Sequence, residues 1–142
     1  MNNFLFAIDN KTTRAYAYPC CETSVGGKDY TDTLVHSGLI KYARSGGDSN
    51  SVIADFNSLN KFVVPAWGFA NHPDVIQLIS FVKRFSMQNA GRIDVSWCWG
   101  DYLHVSADAH KKLLQYLNTP QNQIWVATFR KVMDYLTKES LK

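Results

Sequence analysis

The chain has 142 residues, enough to bury one real core and naturally read as a single domain. Apolar residues make up 46% and charged residues 19%, the composition of a folded globular protein rather than a disordered one. A net charge of +3, from 15 basic and 12 acidic residues scattered along the chain, argues against nucleic-acid binding, which concentrates charge on one face. Cys20, Cys21 and Cys98 have neither the even count of a disulfide framework nor the spacing of a zinc site. No apolar run reaches the ~18 residues of a membrane span. The first residues lack a basic stretch and a long enough apolar stretch for a signal peptide, so the product as written is expected to stay in the cytoplasm where it is made, with its localisation otherwise open.

In chain order, Phe4 to Ile8 reads as a short apolar strand, followed by a polar turn at Asp9-Asn10-Lys11. Ala15 to Tyr18 predicts a second strand, stopped by Pro19, and residues 20–27 a loop ending in two glycines. Asp29 to Ser37 predicts a short helix closed by Gly38, and Leu39 to Ala43 a strand. Ser45 to Asn60 is irregular, and Phe62, Val63 and Val64 carry a buried-strand signature within Lys61 to Pro65.

The strongest helix pattern runs from about Pro73, placed at its first turn, to Gln88. Its inner face is read as Val75, Ile76, Ile79, Val82 and Phe85. Ser106 is the expected cap of a further helix with Ala109, Leu113 and Leu117 inside, broken at Thr119-Pro120. Ile124 to Ala127 predicts a strand, and Thr128 opens a last helix striped by Phe129, Val132, Met133 and Leu136. Strands alternating with helices from Leu39 onward predict a parallel α/β arrangement.

No catalytic motif stands alone. His36, His72, His104 and His110 lack the H-E-x-x-H spacing, and Ile40 replaces the second ligand in a would-be H-S-x-x-H begun by His36. No G-x-S-x-G is present, and Gly26-Gly27 and Gly46-Gly47 lack the spacing and lysine of a phosphate loop. Cys20-Cys21 is either a reactive thiol pair or two incidental cysteines.

Several stretches, in order and spacing, resemble the polysaccharide deacetylases of the NodB-homology type. Residues Ala15-Tyr16-Ala17-Tyr18-Pro19-Cys20-Cys21-Glu22-Thr23 look like that family's F-A-Y-P-C-G-E-T segment. Ser37-Gly38-Leu39-Ile40-Lys41-Tyr42-Ala43-Arg44 is similar to its "gy-i-A-A-R" strand. Gly100-Asp101-Tyr102-Leu103, Leu113 to Leu117, Ile124 to Phe129 and Met133 to Leu136 are similar to its carboxyl-terminal "l-l-x-y-L … i-W-v-a-t-F … v-x-x-Y-L".

The resemblance implies the C-terminal part of a distorted (β/α) barrel with parallel strands, over residues 1–142. Its reaction is the hydrolysis of N-acetyl groups on carbohydrate polymers. There a divalent metal, often zinc, is held by an Asp and two His, with a second Asp as base and a late His as acid. It further implies a carbohydrate polymer or oligosaccharide as partner, with Tyr18, Pro19, Arg44 and Trp67 as groove candidates. Tyr18 and Trp67 would stack on sugar faces and Arg44 would pair with an acidic group; packing is the open alternative for each.

The departures are as informative. The D-D pair and the H-[ST]-x-x-H motif belong to the family's N-terminal half, expected to lie outside this chain, so no metal is expected to be held by the chain itself. Ala17 and Cys21 take the arginine and glycine slots of its R-x-P-x-G. Ser96 falls in the late histidine slot and cannot serve as that acid near neutral pH. The octet around it, Arg92-Ile93-Asp94-Val95-Ser96-Trp97-Cys98-Trp99, is foreign to its flanks. One allowed coding string, AGG ATT GAT GTT TCA TGG TGT TGG GGN, read one base later gives Gly-Leu-Met-Phe-His-Gly-Val-Gly, close to the expected motif. Trp97-Cys98-Trp99 forces Gly, then Val or Ala, then Gly in that frame. The expectation is a short compensated frameshift, in the gene or its recorded sequence, and a truncated barrel. Such a truncated barrel should cover its open edges by self-association or by pairing with its missing N-terminal half.

Overall fold

A computed structural model describes residues 2–46, 58–66, 72–88 and 105–139. Among them the chain is a mixed α/β structure with two small sheets, one parallel and one antiparallel, each of two strands. No closed barrel forms among the described residues.

The first apolar run is a helix, α1 (Asn2–Asp9), not the expected strand. Five apolar residues are too few for periodicity to choose between the two states. The helix is ended by Asn10, whose left-handed φ of 53° lets its N–H donate to Phe6 O at 2.8 Å. Asp9, the last helical residue, takes a two-pronged hydrogen bond from the Arg14 guanidinium, with both contacts at 2.9 Å. That guanidinium holds the Asp9 carboxyl well below the usual carboxylate range.

Strand β1 (Arg14–Ala17) pairs in parallel with β4 (Ile40–Arg44), Ala15 facing Tyr42 and Ala17 facing Arg44. Between them lie the hairpin β2 (Ser24–Val25) and β3 (Lys28–Asp29) and the short helix α2 (Thr31–His36). Only β2 of the hairpin falls in the stretch expected to be loop, residues 20–27; β3 lies beyond it and takes Asp29 from the start of the expected helix. Gly26 and Gly27, at φ of 56° and 73°, make the turn that lets the hairpin strands pair. Gly38, at φ 65°, then turns the chain from α2 into β4 as expected.

The apolar stretch at Phe62 to Val64 adds a third parallel segment beside β4, but only as a single bridge from Val64 to Arg44. Val64 N donates to Ala43 O and Ser45 N donates to Val64 O, both at 2.9 Å.

Helix α3 (Val75–Gln88) begins two residues later than the expected start at about Pro73. Asp74 and Gln77 form a reciprocal capping box: Gln77 N donates to Asp74 Oδ1 at 2.8 Å and Asp74 N to Gln77 Oε1 at 3.0 Å. Leu78 and Val82 are its buried anchors, whereas Ile76 is exposed, because the stripe through Val75, Leu78, Ile79 and Val82 leaves position 76 off the face. The side chain of Phe85 lies outside the described residues. Helix α4 (Ala107–Leu117) starts as expected, Ser106 Oγ accepting from Ala109 N at 3.1 Å, and packs Ala109 and Leu113 against α3.

No strand forms at 124–127. Gln123, left-handed at φ 51°, turns the chain out of a short 3-10 turn, and Trp125 and Val126 point into solvent. Helix α5 (Phe129–Glu139) then lays Met133 and Leu136 on Tyr42 and Val64, with Phe129 and Val132 at the margin. No described helix is long and apolar enough to cross a membrane.

A polar clasp fixes α5 to the sheet. Asp134 Oδ1 accepts from Lys41 Nζ at 2.5 Å and from the buried Tyr42 hydroxyl at 2.9 Å. Thr137 Oγ1 lies 3.1 Å from the same hydroxyl. Arg130 reaches back along the helix to donate to Thr13 O at 2.6 Å. Removing the hydroxyl in Tyr42→Phe should lower unfolding free energy by about 1–2 kcal/mol, read by urea denaturation. The Lys41 ammonium, and then the Tyr42 hydroxyl, hold the Asp134 carboxyl below its usual range. A depressed folded value means stability present above the unfolded pKa of about 3.9 and lost as pH falls through the folded value. The urea midpoint should therefore hold steady from neutral pH to about pH 5 and fall below about pH 4, with Asp134→Asn showing a shallower acid loss.

Candidate functional site

The carboxyl ends of the three parallel segments lie side by side, where parallel α/β sheets place their chemistry. They are Tyr18-Pro19 after β1, Ser45-Gly46 after β4 and Pro65-Ala66 after the Val64 bridge. Tyr18 N donates to Arg44 O at 3.1 Å, so two of the groove candidates are joined through the backbone.

After β1 the chain folds into a tight 3-10 turn, Pro19–Cys21. Cys20 and Cys21 sit consecutively in the left-handed region, at φ 49° and 61°, where residues other than glycine are strained. Cys21 N donates to Tyr18 O and Glu22 N to Pro19 O, both at 3.0 Å, holding the turn closed. Gly46 N donates to Cys21 O at 3.3 Å. A Cβ at Gly46 would lie 2.5 Å from the Cys21 Cβ, so only glycine permits this approach. The turn after β1 is thus docked on the end of β4.

Tyr18 is 3% exposed. Its hydroxyl donates to Phe62 O at 3.0 Å and lies 3.3 Å from Thr31 Oγ1. Tyr16 and Tyr30 meet its ring edge-on, each with centroids 5.4 Å away. Tyr18 therefore packs beneath the turn rather than offering a ring face to solvent. Tyr30 donates its hydroxyl to Glu22 O at 3.1 Å, and its pKa is pushed up to about 12, first by burial and then by hydrogen bonding with Tyr16. Of the groove candidates, Pro19 is exposed on the turn and Arg44 is half-buried at the end of β4. Trp67 and Ser96, together with the whole octet around Ser96, lie outside the described residues.

His36 is exposed at the end of α2, with Nδ1 2.7 Å from Asp32 O, and His110 lies half-buried in α4. Among the described residues no three His, Cys, Asp or Glu side chains gather into a set able to hold a metal ion. The described residues do not fit the divalent metal that the resemblance implies. Cys20 is exposed and Cys21 half-buried.

Two features of the site escape a linear reading. The tyrosine cluster depends on Tyr30, which arrives from beyond the hairpin, although Tyr16 and Tyr18 at alternate positions signal one face of β1. The role of Gly46 depends on a contact with residue 21, for which sequence offers no signal. No family model, no curated protein and no solved structure matches the chain.

Two outcomes follow for the turn. Gly46→Ala should lower the urea midpoint, and Cys21→Gly, which removes both the opposing Cβ and the left-handed strain, should recover most of that loss in the double variant. Under limiting iodoacetamide, peptide mass spectrometry should find Cys20 alkylated before Cys21.

Proposed function

We propose that the chain is a polysaccharide deacetylase-like protein, the C-terminal part of a distorted (β/α) barrel, that contributes groove and wall residues for a carbohydrate polymer. The observation that carries this reading is the placement of the two family-like segments. Ala15 to Thr23 and Ser37 to Arg44 contain β1 and β4, and these are adjacent parallel strands with their carboxyl ends together. Neighbouring strands of a parallel barrel have that relation.

In this reading Pro19 and Arg44 line the groove and Tyr18 supports them from below. Trp67 supplies a ring for a sugar face. The hydrolytic step belongs to groups that this chain lacks in sequence: it has no adjacent Asp pair, no H-[ST]-x-x-H, and Ser96 in the acid's slot. The full chain incubated with chitooligosaccharide should release no acetate, with or without added zinc. Stoichiometric zinc binding with acetate release would overturn the inactive reading. Sequencing the gene across the Arg92 to Gly100 codons tests the frameshift, because a string with no histidine codon in the shifted frame would refute it.

A second reading, an oligomerising remnant, is favoured by α1. Phe4 and Ile8 are each 69% exposed, unusual for apolar side chains on one short helix. A second copy or a separately encoded N-terminal half would cover them. Size-exclusion chromatography with light scattering should find a species larger than a monomer, reduced to monomer in Phe4→Ser/Ile8→Ser; a monomer at all concentrations would count against self-association.

A further inference from the structure

Outside the residues of the strand ends, two exposed aromatic rings are held against each other. Trp125, in the irregular segment after the 3-10 turn, and Tyr135, on α5, have centroids 5.4 Å apart and planes inclined by 64°. Trp125 is 57% exposed and Tyr135 51%, with the exposed Val126 adjoining in sequence. The core does not need either ring, since α5 packs inward through Met133 and Leu136.

The pair is nevertheless built on firm supports. Ile124, next to Trp125, is packed against the α3–α4 cluster, and Asp134, next to Tyr135, is clasped by Lys41 and Tyr42. The rings are thus ordered before any ligand arrives, which lowers the entropic cost of binding. Lys131 is exposed one helical turn before Tyr135, on the same side of α5.

Size decides between occupants. Fully buried aromatic side chains cover about 150–250 Å² each, so these half-exposed rings and Val126 offer on the order of 300 Å². A stable protein interface needs about 800 Å² from each partner. The patch is too small for a second copy and suits a single ring. The electron-rich face of an aromatic ring attracts the weakly positive C–H groups on the apolar face of a pyranose, and an ammonium beside it can donate to ring hydroxyls. We propose that Trp125 and Tyr135 form a stacking platform for a pyranose unit of a glycan, with Lys131 as its polar edge. This rests on the carbohydrate reading above and extends it to a second contact surface.

Isothermal titration of the full chain with chitotetraose tests it. Trp125→Leu and Tyr135→Leu, each checked for fold by circular dichroism, should weaken binding by about tenfold, and Trp125→Phe should restore most of the loss. If Trp125→Leu fails to fold, Tyr135→Leu decides alone. Binding that both variants leave unchanged but Arg44→Ala weakens would overturn the platform and leave the glycan reading standing. No binding of chitotetraose by the unaltered chain would overturn both. Loss of a dimer in Trp125→Leu, with glycan affinity intact, would assign the patch to self-association and overturn the platform.

Discussion

The clasp of Asp134 on Lys41 and Tyr42 fixes α5 on the core cluster of Tyr42, Val64, Met133 and Leu136. β4 is a five-residue strand with one short partner strand and a single bridge to Val64, and so small a sheet is not stable alone. Helix α5 supplies the missing layer, but Met133 and Leu136 could slide on an apolar surface. The Tyr42 hydroxyl cannot, because it is buried and must find a partner. Asp134 and Thr137 meet it from successive turns of α5, fixing the helix in both position and rotation. Arg130 adds a tie to Thr13 just before β1, so one helix holds both strands.

The site inherits that rigidity. With β1 and β4 held in register, Tyr18 N reaches Arg44 O and the strained turn at Cys20-Cys21 settles on Gly46. Two consecutive left-handed cysteines persist only where their surroundings over-determine them, and here hydrogen bonds on both sides of the turn do so. The buried Tyr18 forms the floor of this arrangement, tied by its hydroxyl to Phe62 O.

Sequence patterns revealed the parts whose signals are local. Ser106 as a cap, Gly38 as a stop and the α5 stripe each follow from a few neighbouring residues, and each appears in the structure. Short apolar runs were ambiguous for a physical reason: Phe4 to Ile8 has the composition of a strand but no strand partner among the described residues, and it closes its hydrogen bonds locally as α1. Ile124 to Ala127 likewise lacks a described partner and stays irregular. The alternation of elements from Leu39 onward pointed to parallel strands, but the parallel pair that forms is β1 with β4 and residues 124–127 form no strand; the clasp had no sequence signal, since Lys41 and Asp134 are 93 residues apart. Of the candidate site, Pro19 and Arg44 were singled out only through the resemblance, and the burial of Tyr18 was not legible in sequence, because it depends on Tyr30 and Phe62 arriving from elsewhere.

The central claim is that the joined ends of β1 and β4 present a surface for a carbohydrate. Amide chemical-shift mapping of the ¹⁵N-labelled chain during titration with chitotetraose tests it most directly. The account requires saturable shifts at Cys20, Cys21, Ser45 and Gly46. Amides at these positions that stay unmoved at saturating sugar would contradict it.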